Sequence, residues 1–193
     1  MTIMITKIDA AERQLNTAIR LFFENRDHLS SYALAVASRE ITDGVIKSRR
    51  SELYQRESAR VDGPLNFLLS YQEYIEALIK PEFYKNTIKL FHKWQNFLKH
   101  ADKDPDAEIE PIKTKPLALV IMFAINNYVL LTQHCTTEMS TFFAWFVVAE
   151  PQLIKSAPED AMTKAIAELR SNILVDPYDR NTLEAIYIAM TDV

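Results

Sequence analysis

The chain has 193 residues, 48% of them hydrophobic, and a net charge of −4. That length and apolar content suffice for one packed domain and exclude a disordered chain. Glycine occurs only at Gly44 and Gly63, which excludes a glycine-lined phosphate loop and argues against a turn-rich β architecture.

The elements follow in chain order. The first helix is expected from "DAAERQL", with Asp9 as cap and Glu12 completing a capping box. Ala11, Leu15, Ala18, Ile19 and Phe22 fall on one side of it at helical spacing. "NRDHLSS" (25–31) reads as a break, and "YALAVASREI" opens a second helix whose Ala33, Val36, Ala37 and Ile41 suit packing against the first. Gly44 is a point where that helix loosens or ends. The polar, basic stretch 45–64 is a charged helix or a connection closed by Gly63-Pro64. Helices are then expected over 64–79 and from Pro81 to about His100, with Pro81 in the first turn, where its missing N–H costs nothing. Pro105, Pro111 and Pro116 mark a long surface loop near 101–116. Helical blocks at 117–135, 137–149, 158–173 and 180–191 complete the chain. The expected architecture is an all-α, antiparallel up-and-down bundle of about six to eight helices, one domain over residues 1–193.

Cys135 is the single cysteine, so no internal disulfide and no cysteine pair for zinc is expected. "MTIMITKIDA" lacks the basic and apolar regions of a signal peptide. The longest apolar run, "PLALVIMFAI" (116–125), stops at Asn126 and Asn127, short of the roughly 20 residues a bilayer requires. The expectation is a cytoplasmic protein with no membrane association, no metal and no cofactor.

Charge is uneven along the chain. Residues 1–44 hold five basic and six acidic side chains, 45–100 hold ten and six, and 101–193 hold seven and fourteen. The middle third can therefore present a basic surface that the total conceals. The stretch "KLFHKWQNFLKHADKDPD" (89–106) locates it. On a helical wheel Phe83, Leu90, Trp94, Phe97 and Leu98 share one side, with Phe91 at its margin. Lys85, Lys89, His92, Lys93, Asn96, Lys99 and His100 gather opposite, and His92, Asn96 and His100 repeat every fourth residue. A solvated amphipathic helix with lysines matched to its dipole explains the lysines alone. Imidazoles beside an amide and ammonium groups also suit acid–base chemistry on a phosphodiester.

A helix carrying "QNFLKH" late in its course resembles the HEPN superfamily, whose signature is Arg, a polar residue, about three variable positions, then His. Asn96 and His100 match the polar and His positions; Gln95 stands where the family has Arg. The resemblance implies a homodimer in which two copies of the motif meet and cut RNA without metal, the ribose 2′-hydroxyl acting as nucleophile. His100 would then be the acid–base residue, Asn96 its polar partner, and Lys93 or Lys99 the charge stabiliser. Lys85, Lys89, His92 and Gln95 would contact the ligand, with Asp102 orienting His100. Neutral Gln95 does not stabilise a phosphorane as a guanidinium does. "DAAERQLNTAIRLFF", "NFLKHADKDPDA" and "FFAWF" are also similar to a group of bacterial helical proteins with the run N-F-x-K-H-A-D-x-D-P, a likeness over most of residues 8–150 that implies no activity.

Other constellations are weaker. "DKDPDAE" (102–108) has the first spacings of a calcium loop, but Ala107 replaces the turn glycine and Lys113 the bidentate glutamate. No Glu-x-x-His occurs for a di-metal bundle. "QHCTTE" brings His134, Cys135 and Glu138 together without a glycine turn for an oxyanion, so a helix end with a mostly buried Cys is expected. Phe142, Trp145 and Phe146 read as core. Two functional readings stand: a HEPN-like protein binding RNA or a nucleotide-like anion, with or without ribonuclease activity, and a non-catalytic helical module binding a small ligand or a protein partner.

Overall fold

In the computed structural model, residues 4–53, 92–100, 102–150 and 176–191 are described. The fold is an all-α bundle, and among the described residues no strand occurs. Among the described residues the helices are α1 (Lys7–Glu24), α2 (His28–Ser48), α3 (residues 92–99), α4 (Thr114–Thr132), α5 (Thr137–Ala149) and α6 (Arg180–Thr191), and residues 50–53 are also helical. The helices expected over 64–79 and 158–173, and the start of the one running to His100, lie outside the described residues.

α1 is capped three residues earlier than expected. Thr6 is the N-cap: its hydroxyl accepts from the Asp9 N–H at 3.1 Å, and the Asp9 carboxylate accepts from the Thr6 N–H at 2.9 Å. Asp9 is thus the reciprocal partner and not the cap. The Thr6 backbone N–H, and then its hydroxyl, hold the Asp9 carboxyl below its usual range. Glu12, freed from the expected capping role, accepts the hydroxyl of Tyr128 on α4. Burial is the larger reason that the Tyr128 phenol is pushed up, and the Glu12 carboxylate adds to it. Ala11, Leu15, Ala18, Ile19 and Phe22 are fully buried, as their spacing predicts. α1 closes on Asn25, whose φ of 51° is the left-handed conformation that asparagine tolerates.

Only Asn25, Arg26 and Asp27 separate α1 from α2, so the pair is an antiparallel hairpin. Asp27 caps α2 by accepting the Ser30 N–H at 2.9 Å. α2 therefore starts four residues earlier than expected and runs through Gly44. Its buried residues are Ser31, Tyr32, Ala35, Val36, Ser38 and Thr42, while Ala33, Ala37 and Ile41 are only half-buried. Small side chains explain the shift of face: Ser31, Ala35 and Ser38 let α2 approach closely enough for the Ser31 hydroxyl to donate to the Ala18 carbonyl at 2.7 Å.

α4 packs against α2 and α1. It carries Pro116 in its first turn and continues past Asn126 and Asn127 to Thr132. At 19 residues it is long and apolar enough to cross a membrane by length and composition, but most of that window is buried inside the bundle, as in a core helix. Thr136 caps α5, accepting the Met139 N–H at 3.3 Å, and its hydroxyl donates to Asn16 Oδ1 of α1 at 2.9 Å. The bounds of α5 and α6 are those the periodicity predicts.

The core centres on aromatic rings from α1 and α5. Phe22 meets Phe142 and Trp145 edge-on at 5.1 and 4.8 Å between centroids. Phe142, Trp145 and Phe146 are buried, as expected of core. The Trp145 indole N–H donates to the Pro177 carbonyl at 2.9 Å, anchoring the turn that enters α6. Beside it buried Glu150 accepts the Tyr178 hydroxyl and lies 3.0 Å from the Lys115 ammonium, which sits 5.3 Å over the Tyr178 ring. Burial, then the Glu150 carboxylate, push the Tyr178 phenol up. One expectation fails here: Cys135 is exposed in the α4–α5 connection, where Ser140 Oγ lies 3.3 Å from its sulfur. α4 ends at Thr132, three residues short of the expected 135, so Cys135 belongs to the surface turn and to neither helix.

Candidate functional site

α3 is seated by one large residue. Trp94 is 4% exposed and meets Tyr32 of α2 edge-on at 5.6 Å between centroids. Burial at this contact raises the Tyr32 phenol to about 12. Phe97 is half-buried, but Leu98, placed by the wheel on the same apolar side, is 39% exposed. A helix touching the bundle through a narrow stripe buries the centre of its apolar arc and leaves the margin in water. Phe83, Leu90 and Phe91 lie outside the described residues.

His92, Lys93, Asn96, Lys99 and His100 are all exposed, and Gln95 is half-buried. The four-residue repeat does place His92, Asn96 and His100 on successive turns. His100 follows the last helical residue, and its N–H still donates to the Asn96 carbonyl at 3.0 Å, so the closing turn keeps helical geometry. Lys85 and Lys89 lie outside the described residues.

The polar face is not uniformly free. Glu40, on α2, accepts hydrogen bonds from the Gln95 amide and from the Lys99 ammonium, both on the same oxygen, Oε1. One turn along α2, Asp43 lies 3.5 Å from the Arg39 guanidinium and accepts from the Asn127 amide of α4 at 2.6 Å. The position that carries Arg in the family signature is therefore a neutral amide donating to a carboxylate. Lys99, named as a charge stabiliser, is already in an ion pair, whereas Lys93 is in none among the described residues.

The anticipated contact between Asp102 and His100 is absent among the described residues. The chain turns immediately after α3, with the Lys103 N–H donating to the His100 carbonyl at 2.9 Å, and Asp102 is exposed. Asp102, Asp104, Asp106, Glu108 and Glu110 are exposed along the following loop, countered there by Lys103 and Lys113. Among the described residues no cluster of three or more His, Cys, Asp or Glu could hold a metal ion.

A fourth histidine was not singled out from the sequence. His28, half-buried, has Nδ1 3.0 Å from the Ile112 carbonyl and Nε2 2.9 Å from Asn25 Oδ1, and its ring stacks on Phe22. It ties the α1–α2 turn to the loop before α4, and no local pattern marks it. No local pattern marks Glu40 either, because residues 1–44 are nearly balanced in charge.

Chemically, the outer face of α3 can donate hydrogen bonds and one fixed positive charge to an anion. General acid–base work needs a second group within hydrogen-bond reach of the reacting proton. Among the described residues no side chain hydrogen-bonds the His100 ring. Comparisons of the sequence with family models and with curated proteins, and of the fold with solved structures, return no match.

Proposed function

We propose that this is a HEPN-like helical protein that binds RNA, or another phosphate-bearing anion, on the outer face of α3 without cutting it. One observation carries the reading: Glu40 takes up Gln95 and Lys99, leaving His92, Lys93, Asn96 and His100 exposed to a ligand. A carboxylate beside the motif's Arg position repels the charge that builds on a phosphorane, which supports binding over catalysis. The exposed carboxylates of the loop after His100 offer no surface to an anion, so the reading rests on α3. A homodimer belongs to the same reading, with exposed Leu98 the apolar group a second copy would cover.

The test is fluorescence anisotropy with a short single-stranded RNA across a salt series, alongside an assay for 2′,3′-cyclic phosphate ends. Binding should weaken with salt by a slope of roughly 0.7 per phosphate neutralised, and Lys93→Glu should weaken it several-fold at low salt. Intact RNA is expected with wild type and His100→Ala alike. Cleavage that His100→Ala abolishes would restore the nuclease reading. RNA affinity indifferent to both salt and Lys93 would remove the anion surface and leave the module for a protein or small-ligand partner.

A further inference from the structure

The contact made by Glu40 has a geometry of its own. Two donors from one turn of α3, the Gln95 amide and the Lys99 ammonium, converge on a single oxygen of Glu40 that comes from another helix. Convergence of an amide and an ammonium on one anionic oxygen is how proteins hold a phosphate oxygen. We propose that Gln95 and Lys99 form an oxyanion subsite for a phosphodiester, and that Glu40 is its internal occupant, an autoinhibitory contact. This deepens the function proposed above and rests on it.

Both partners of the ion pair are close to half-exposed, at 48% for Lys99 and 43% for Glu40. An exposed pair of this kind is weak and screened by salt. A ligand phosphate can therefore displace the carboxylate by modest competition. Trp94 and Tyr32 keep α3 seated while this happens, so unmasking needs only a side-chain rotation of Glu40 and no helix movement. The subsite adjoins Asn96 and His100, extending the open face by one cation and one amide.

The experiment uses the full chain and two probes, inorganic phosphate and the short RNA. Glu40→Ala should raise RNA affinity about two- to fivefold, the range set by an exposed ion pair, and steepen the salt slope by about 0.7, as one further phosphate is neutralised. Lys99→Ala should change little in the wild-type background and should erase the gain in the Glu40→Ala background. Asp43→Asn, which removes the same charge one turn away but frees no donor on α3, is the control for a general change in field. An equal gain from Asp43→Asn, or a gain that survives Lys99→Ala, overturns the subsite. If wild type binds RNA but Glu40→Ala adds nothing, the subsite falls while the proposed function stands. If wild type binds nothing and Glu40→Ala acquires Lys99-dependent binding to phosphate or RNA, the subsite stands and binding by the resting chain falls. Absence of binding in every variant overturns both.

Discussion

Replacing Trp94 with alanine tests how α3 is held. A buried tryptophan withdraws on the order of 200 Å² from water. At about 25 cal/mol per Å² that burial contributes roughly 5 kcal/mol, an upper figure because an unfolded chain already covers part of the surface. Large-to-small replacements of buried aromatics cost about 3–5 kcal/mol, so about 4 kcal/mol is expected here. In a chain of this size the melting temperature should fall by roughly 8–16 °C. The informative comparison is Leu98→Ala, one helical turn further on. Both side chains sit on the apolar side of the wheel, yet Trp94 is 4% and Leu98 39% exposed. Leu98→Ala should therefore cost about 1 kcal/mol or less. Urea denaturation followed by far-UV circular dichroism measures both, an unchanged slope marking an unchanged unfolding reaction. Equal losses in the two variants would refute the seating of α3 on Tyr32 and the rotation that brings Gln95 and Lys99 to Glu40.

Two further outcomes follow from α2. Asp27→Ala removes the helix cap and should cost about 1 kcal/mol at neutral pH. Hydrogen bonds from Ser30, side chain before backbone, hold the folded Asp27 carboxyl below its usual range, so as pH falls the unfolded chain takes up the proton first. The cap's contribution is thus complete above the unfolded value and lost as pH drops through the folded one. Wild type and Asp27→Ala should converge in acid melts, and a difference that persists at the lowest pH would contradict the assignment. Gly44 lies inside α2 without a positive φ, and a Cβ built there meets nothing within 4 Å. Gly44→Ala should therefore stabilise the protein by about 0.5–1 kcal/mol, and a loss in thermal melts would show that something approaches that backbone closely.

Much of the fold was legible because apolar spacing alone decides it. Leu15, Ala18, Ile19 and Phe22 recur at the helical period, and two glycines in 193 residues leave little besides helix. Caps were legible in kind but not in place. Thr6 and Asp9 both suit an N-cap, and only the reciprocal hydrogen bonds choose Thr6. The α2 face was misplaced because alanine spacing was read without the serines, although Ser31 and Ser38 are fully buried. The Ser31 hydroxyl satisfies itself on the Ala18 carbonyl and so packs as closely as an alanine would, while the buried Ser38 hydroxyl has no hydrogen-bond partner among the described residues. Cys135 is in the turn because α4 ends at Thr132, three residues short of the expected 135, and that boundary decides whether the side chain belongs to a helix or to the turn between helices.

The site divides along a different line. Exposure of His92, Lys93, Asn96 and His100 follows from their wheel positions, a property of one helix. What those groups can do depends on Glu40, which is 55 residues from Gln95 and 59 from Lys99. Charge counted along the sequence assigns Lys99 to a basic face, whereas charge counted in space assigns it to an ion pair. The two counts differ by a carboxylate placed at the one point where the motif needs a cation. A motif reading that scores residue types therefore overstates the electrostatic strength of this face. The amount of that overstatement is the Lys99-dependent gain that Glu40→Ala would release.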